Sequence, residues 1–180
     1  MIQHEKGLFL LKNKHFSYLL RINRYGLPEH LHFGAPLELT DAEAMLCRPG
    51  IGWGESVLLD DRDSASCPDV LPLEWSGAGR GDYRETPLEL NDAATEMRYV
   101  NHEIRKDILP MVSGLPQAKQ GGETLILHLQ QHNARVQLVY TLFDQAITRR
   151  VWLSLLRKGW QGSVISPARW NFSLTYSIIS

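Results

Sequence analysis

The sequence predicts an all-β fold, an antiparallel sandwich with one short helix. Three observations predict it. Thr124–Leu129 and Ala134–Phe143 are apolar-rich runs joined by Gln131-His-Asn133, and in the second Val136, Leu138, Tyr140 and Leu142 alternate onto one face, so the pair reads as a hairpin. Glycine, proline, asparagine and aspartate punctuate the rest at short intervals, the spacing of strands joined by turns. The chain has 180 residues, 43% hydrophobic and 22% charged, an ordinary globular composition with enough apolar material for one sandwich core.

Taken in order, Gly7 to Leu20 reads as two short strands with a turn at Lys12-Asn13-Lys14. Ser17–Ile22 is a strand, Asn23 to Pro28 turns the chain, and His30-Leu-His-Phe33 is the next strand, ended by Gly34. His30 and His32 stand two apart and so share one strand face. Two such histidines can begin a metal site, but no third ligand stands at a recognisable spacing, and a packed or hydrogen-bonded pair is the reading preferred. Thr40 to Cys47 carries the helix signal, with Thr40 as cap, Glu43 three residues on, and Arg48-Pro-Gly50 as the stop.

Ile51-Gly-Trp-Gly-Glu55 then presents Trp53 between two glycines, followed by a polar loop at Asp60–Ser66. A tryptophan on a glycine-rich loop can stack on a pyranose face, or it can staple its loop to the sheet. Leu71–Trp75 alternates like a half-buried strand, Gly77, Gly79 and Gly81 break it, and a second strand follows with Asp82 and Arg84 on one face. An aspartate and an arginine two apart on a strand can share a hydrogen-bond network or hold a common partner. Trp53, Asp82 and Arg84 are the candidate ligand contacts. Arg80-Gly-Asp82 matches an integrin-read tripeptide, but its glycine is better explained by the turn and its aspartate by the strand. Asn91-Asp92 is a turn, Arg98 to Lys106 alternates moderately, Leu109–Pro116 is a two-proline loop and Gln117–Gly122 is polar.

A net charge of −1 provides no field to draw nucleic acid or an anionic membrane. No apolar run approaches the roughly eighteen residues of a membrane span. Cys47 and Cys67, without a secretory signal, read as reduced thiols of a cytoplasmic protein. No cofactor motif is present: no phosphate loop, Cys-x-x-Cys or His-Glu-x-x-His.

The order Glu74-Trp75, glycine turn, Gly81-Asp-Tyr-Arg84 resembles the amino-terminal domain of the glycoside hydrolase family 36 α-galactosidases. Four further stretches follow the same order. They are Tyr25-Gly-Leu-Pro-Glu-His-Leu-His-Phe-Gly34, Arg98-Tyr-Val-Asn-His-Glu-Ile104, Ser113-Gly-Leu-Pro116, and Val139-Tyr-Thr-Leu-Phe143 leading to Ile147-Thr-Arg149. The resemblance covers residues 7–150 and implies a β-supersandwich over 1–150, packed on a catalytic (β/α)8 barrel in a homo-oligomeric parent enzyme. It implies no metal and no cofactor. The parent reaction would be retaining hydrolysis of terminal α-linked galactose from melibiose- or raffinose-type sugars. In the family a loop of this domain reaches a neighbouring subunit's active site, which is the role the resemblance suggests for the Trp53 loop.

Retaining hydrolysis needs two carboxyl groups flanking the scissile bond. In the family both are barrel aspartates, in Lys-Trp-Asp and Ser-Asp-Asp motifs, and neither motif occurs here. A barrel of about 250 residues does not fit after residue 150. No catalytic residue is therefore expected in this chain. The runner-up is a free-standing carbohydrate-binding or assembly module. Residues 151–180 lack Asp and Glu and hold Trp152, Trp160 and Trp170. They read as a divergent tail, a truncated or frame-altered end in preference to a variant pair of strands at Val151–Leu156 and Asn171–Ile179.

Overall fold

The computed structural model describes residues 1–46, 57–77, 81–88, 96–108, 122–132, 134–155 and 174–179. Two antiparallel sheets hold nine strands among them. The first orders β1 (Ile2–Glu5), β2 (Leu8–Lys12), β3 (Ser17–Ile22) and β4 (Pro28–Gly34) as a meander. The second is a meander of β5 (Arg98–Arg105), β6 (Glu123–Gln131), β7 (Ala134–Leu142), β8 (Ala146–Leu155) and β9 (Leu174–Ile179). The all-β sandwich expected from the sequence is the observed class.

The core lies between the sheets because alternation puts one apolar set from each strand on the inner face. Phe9, Leu11, Tyr18 and Leu20 from the first sheet meet Leu125, Leu127, Leu129, Val136, Leu138, Tyr140 and Leu142 from the second. The β6–β7 hairpin pairs Gln131 with Ala134, and His132 takes φ 48° at the turn. The opposite face of the first sheet is apolar too: Leu10 and Leu19 pack with Leu31, Leu37, Leu39 and Ala42.

That second cluster explains the helix. It is a 3₁₀ helix at Leu39–Met45 instead of the helix capped at Thr40 that the spacing predicts. Its bonds run three residues back, Asp41 N–H to the Glu38 carbonyl at 3.0 Å and Leu46 N–H to Glu43 at 3.2 Å. The cap is Glu38, whose N–H donates to the Asp41 carboxylate at 2.8 Å. The piece is short and buries only Ala42, so a tight turn suffices to set that methyl on Leu10 and Leu19.

Three other expectations change. The chain opens with a strand, β1, that the sequence did not suggest, because Lys6 and Gly7 turn it through left-handed backbone at φ 48° and 79°. The histidine pair is split. The register slips between Leu19 and Leu20, so Leu19 faces His32 while Leu20 faces His30. His30 and Phe33 then both meet the Tyr18 ring, and His32 bonds instead to the Ala35 carbonyl at 3.0 Å. The two strands expected around the glycine turn at 71–90 do not form among the described residues. Leu73 makes one isolated bridge to Glu29, and 81–88 is irregular. Side chains take over the ladder's role there, since the Asp82 carboxylate accepts from Arg84 N–H at 3.1 Å and Thr86 Oγ1 from Leu88 N–H at 3.3 Å. At Gly81, φ is 74° and an added Cβ would stand 2.5 Å from the Val57 Cβ, so no larger residue fits.

The boundary expected at residue 150 falls inside β8, and β9 pairs with β8 from Ala146↔Ile179 to Val151↔Leu174. Trp53, Cys47, Asn91-Asp92, Leu109–Pro116 and the segment 157–169 lie outside the described residues.

At one edge of the sandwich His4 of β1 stacks on Phe9 at 4.4 Å and lies 4.3 Å from the His102 ring of β5. Tyr99 is bonded to His102 Nδ1 at 2.7 Å. Burial first, and then the charge on His4, lower the His102 imidazole below its ordinary value of 6.5. Below that pH the unfolded chain binds the proton more readily than the folded one, so stability declines as pH falls through and below 6.5. Urea unfolding midpoints measured from pH 8 to 5.5 should fall on acidification, and His102→Phe should reduce that fall. An unchanged slope in the variant would remove His102 as the cause.

Candidate functional site

Glu74 enters the sandwich from the loop that follows β4 and the polar segment. Its N–H donates to the Pro28 carbonyl at 2.9 Å and the His30 N–H donates to Pro72 at 2.7 Å, so the loop runs along the edge of β4. This places the Glu74 carboxylate between the sheets with only 4% of its side chain exposed. Tyr18 of β3 donates to Oε1, and Tyr140 of β7 donates to Oε2 at 2.7 Å. His30 Nδ1 lies 3.3 Å from Oε1, and Arg149 Nε of β8 lies 3.5 Å from Oε2. Arg149 also donates through Nη2 to the Glu74 backbone carbonyl. One carboxylate thus joins two strands of each sheet.

Burial alone would raise the Glu74 carboxyl. The His30 hydrogen bond, the Arg149 charge and the two tyrosine hydroxyls outweigh it and hold the carboxyl below its ordinary value. Burial first, and the Glu74 charge second, push both phenols far above their ordinary range, so they remain protonated donors. The cluster is a saturated ion, and it leaves no carboxyl free to give a proton near neutral pH.

Two of the three residues expected to touch sugar, Asp82 and Arg84, form a neighbouring latch. Arg84 Nε donates to Asp82 Oδ1 at 2.8 Å and Nη2 to Oδ2 at 2.9 Å, a bidentate pair. Nη1 donates to the Leu71 carbonyl at 2.9 Å and Nη2 to Pro68 at 2.8 Å. The Arg84 guanidinium therefore ties the 81–88 segment to the loop that carries Glu74. Tyr83 between them is 81% exposed. The third, Trp53, lies outside the described residues. The polar Asp60–Ser66 loop is tied to the turn after β3: Asp63 Oδ2 accepts from Arg24 and from Tyr25 at 2.6 and 2.7 Å.

Beside the Glu74 cluster a cleft of about 340 Å³ opens between β3–β4, the end of the 3₁₀ helix and the loop before Glu74. Arg21, Glu29 and His30 line it, with Leu31, Val70 and Pro72 among the apolar wall. Glu29, 1% exposed, accepts from Arg21 Nε at 2.5 Å and Asn23 Nδ2 at 2.7 Å. Sequence reading missed both Glu29 and Glu74. The available signal was the motif stretches themselves, because His30, Glu74, Tyr140 and Arg149 all come from the runs that carry the family resemblance. Among the described residues no three His, Cys, Asp or Glu side chains converge as a metal site, and no helix is long and apolar enough to cross a membrane.

Comparison with known proteins follows the same lines. Residues 26–159 match the glycosyl hydrolase family 36 N-terminal domain. The chain is 31% identical over 150 residues to alpha-galactosidase Mel36A of Lactobacillus acidophilus, covering 77% of this chain and 20% of that protein. It is 26% identical over 157 residues to the bifunctional alpha-galactosidase/sucrose kinase AgaSK of Mediterraneibacter gnavus, covering 81% and 17%. The solved galactosidase domain of AgaSK shares the fold, with a TM-score of 0.72 at 23% identity over 85% of this chain and 23% of that one. The α-galactosidase AgaA of Geobacillus stearothermophilus gives a TM-score of 0.69 at 26% identity, covering 82% and 22%. The chain spans about a fifth of the length of these relatives.

Removing the Glu74 charge should be costly, because it leaves the half-buried Arg149 without its counter-ion. Glu74→Gln is expected to cost about 3–5 kcal/mol of unfolding free energy by denaturant titration. The pH signature has a definite sign. A depressed carboxyl stabilises above its unfolded value of 4.5, and that stabilisation is lost as pH falls below it. The wild-type acid limb below pH 4.5 should flatten in Glu74→Gln, and an equally steep limb in both proteins would refute the assignment.

Proposed function

The chain belongs to the glycosyl hydrolase family 36 N-terminal domains, and from that premise we propose that it serves as the non-catalytic front domain of an α-galactosidase. The observation that carries the proposal is the match over residues 26–159 in a chain spanning about a fifth of its relatives. The parent reaction is retaining hydrolysis of terminal α-D-galactosyl residues from melibiose- or raffinose-type oligosaccharides, performed by two carboxyl groups on a separate (β/α)8 barrel. The site chemistry agrees with a division of labour. Glu74 is held ionised by four side chains and Glu29 is spent on Arg21 and Asn23, whereas a retaining pair needs one carboxyl protonated and both facing the substrate.

The domain's own task is to pack on the barrel and to take part in subunit assembly in the cytoplasm. Val100 and Ile104 on the edge strand β5, 57% and 42% exposed, support such a contact. One observation favours a second reading, a free-standing carbohydrate-binding or assembly module. The Tyr83 ring stands exposed beside the Asp82–Arg84 latch, and with Trp53 it would make the galactoside contact.

Hydrolysis of 4-nitrophenyl α-D-galactoside by the purified 180-residue chain tests the first reading. The expected rate is that of buffer. Turnover that stays with the chain through successive columns would overturn the non-catalytic assignment. Galactose binding by calorimetry that disappears in Trp53→Ala would favour the module.

A further inference from the structure

Among the described residues the sheet edges are unequally protected. The free side of β4 is bridged at Glu29 by Leu73 and bonded by the same loop at His30 N–H and the Pro28 carbonyl. On β1 the Ile2 N–H is taken by the Glu123 carboxylate at 2.6 Å. On β5 the Tyr99 N–H leaves the sheet and donates to the Gly26 carbonyl at 2.8 Å, which covers the start of that strand. Main-chain groups of alternate residues point the same way. Tyr99 stands opposite Leu129, so Leu129 turns its own groups to β7, and Leu127 and Leu125 do the same. Their partners on β5, beyond the register shift at Val100, are His102 and Ile104, which therefore send N–H and C=O outward. Side chains alternate between the faces. Ile104 stands opposite the core residue Leu125 and is still 42% exposed. Glu103 and Arg105 flank it on the outer face, opposite Ile126 and Thr124. Glu103 accepts from His128 through Oε1 at 3.0 Å, which leaves Oε2. Arg105 donates to Asp107 through Nε and Nη2 at 2.8 and 2.7 Å, which leaves Nη1.

We propose that this edge pairs with the same edge of a second copy of the chain, antiparallel about a two-fold axis at Ile104. The inference rests on the subunit-assembly part of the function proposed above and names its surface and its occupant. With Ile104 on the axis, the two Ile104 residues exchange N–H···O=C bonds. Glu103 of each copy then stands opposite Arg105 of the other, an ion pair on either side of the axis. The neighbouring registers are excluded. An axis at Glu103 sets two Glu103 carboxylates against each other, and like charges directly opposite destabilise a strand pair. An axis at His102 brings Arg105 of the second copy against Tyr99, where Gly26 already occupies the edge. The run Glu103-Ile104-Arg105 is thus complementary to its own reverse, the property that an isologous contact requires. A short pairing of this kind buries little area, so the dimer of the chain by itself is weak and reversible.

Sedimentation velocity of the full chain over a range of concentrations should show a reversible monomer–dimer equilibrium. Glu103→Arg and Arg105→Glu each place like charges opposite one another, and either should raise the dimer dissociation constant roughly tenfold or more. Mixing the two single variants in equal amounts sets opposite charges together again and should restore the wild-type dimer. The double variant Glu103→Arg/Arg105→Glu should dimerise alone. A chain that stays monomeric at every concentration would overturn the interface and leave the edge to another occupant. A dimer that both single variants retain, or a mixture that stays monomeric while each variant keeps the wild-type circular-dichroism spectrum, would overturn it as well. If a charge reversal unfolds the chain, Ile104→Pro decides, because it removes an N–H that its own sheet does not use. A dimer unchanged by that substitution would refute the register. None of these results bears on the non-catalytic reading, which turnover alone overturns.

Discussion

The Glu74 carboxylate is the point on which both sheets converge. A buried ion is tolerated only when its desolvation is offset by several well-placed partners. Here two phenols, an imidazole and a guanidinium supply them, from β3, β4, β7 and β8. Every one of those strands must hold its register for the ion to be satisfied. A shift of one residue on β7 would turn Tyr140 to the outer face and leave an uncompensated charge inside. Hydrophobic burial supplies most of the driving force for the sandwich, and Glu74 selects which sandwich forms.

That constraint reaches into the irregular part of the chain. The loop carrying Glu74 is short of ladder bonds, so it is held by β4 on one side and by the Asp82–Arg84 latch on the other. The residues that looked most like a ligand site in sequence therefore have a clear structural occupation. Arginine suits the latch because its planar fork serves a carboxylate and two carbonyls at once, which a lysine ammonium cannot do with the same geometry. The family relationship is consistent with this picture. His30, Glu74, Tyr140 and Arg149 of the buried network all lie within the span that matches the family-36 amino-terminal domain.

Much of the architecture was legible in the amino-acid order. The β6–β7 hairpin and its inner face of Val136, Leu138, Tyr140 and Leu142 could be read directly, because alternation is a local property with a period of two. β4 could be located but not phased. Its bulge depends on how β3 pairs with it, and nothing within His30–Phe33 announces an extra residue. Among the described residues the strands assigned to 71–90 do not form, for a related reason. Their apolar alternation is real, but a strand needs a neighbour to pair with, and side-chain bonds from Asp82 and Thr86 satisfied the backbone first.

By itself the sequence determined the class of fold, the family and the lack of the paired carboxylate motifs of the resembled enzymes, because each rests on residue identity and short-range spacing. Only the tertiary structure decided what the polar residues do. Glu74 and Tyr140 are 66 positions apart, and Arg149 meets Glu74 across 75. Contacts of that span are set by strand order and sheet packing, which have no local signature. The same packing consumed the nitrogens of Arg84 and left one nitrogen of Arg105 at an open strand edge, a distinction between two arginines that no pattern of neighbours in the chain could make.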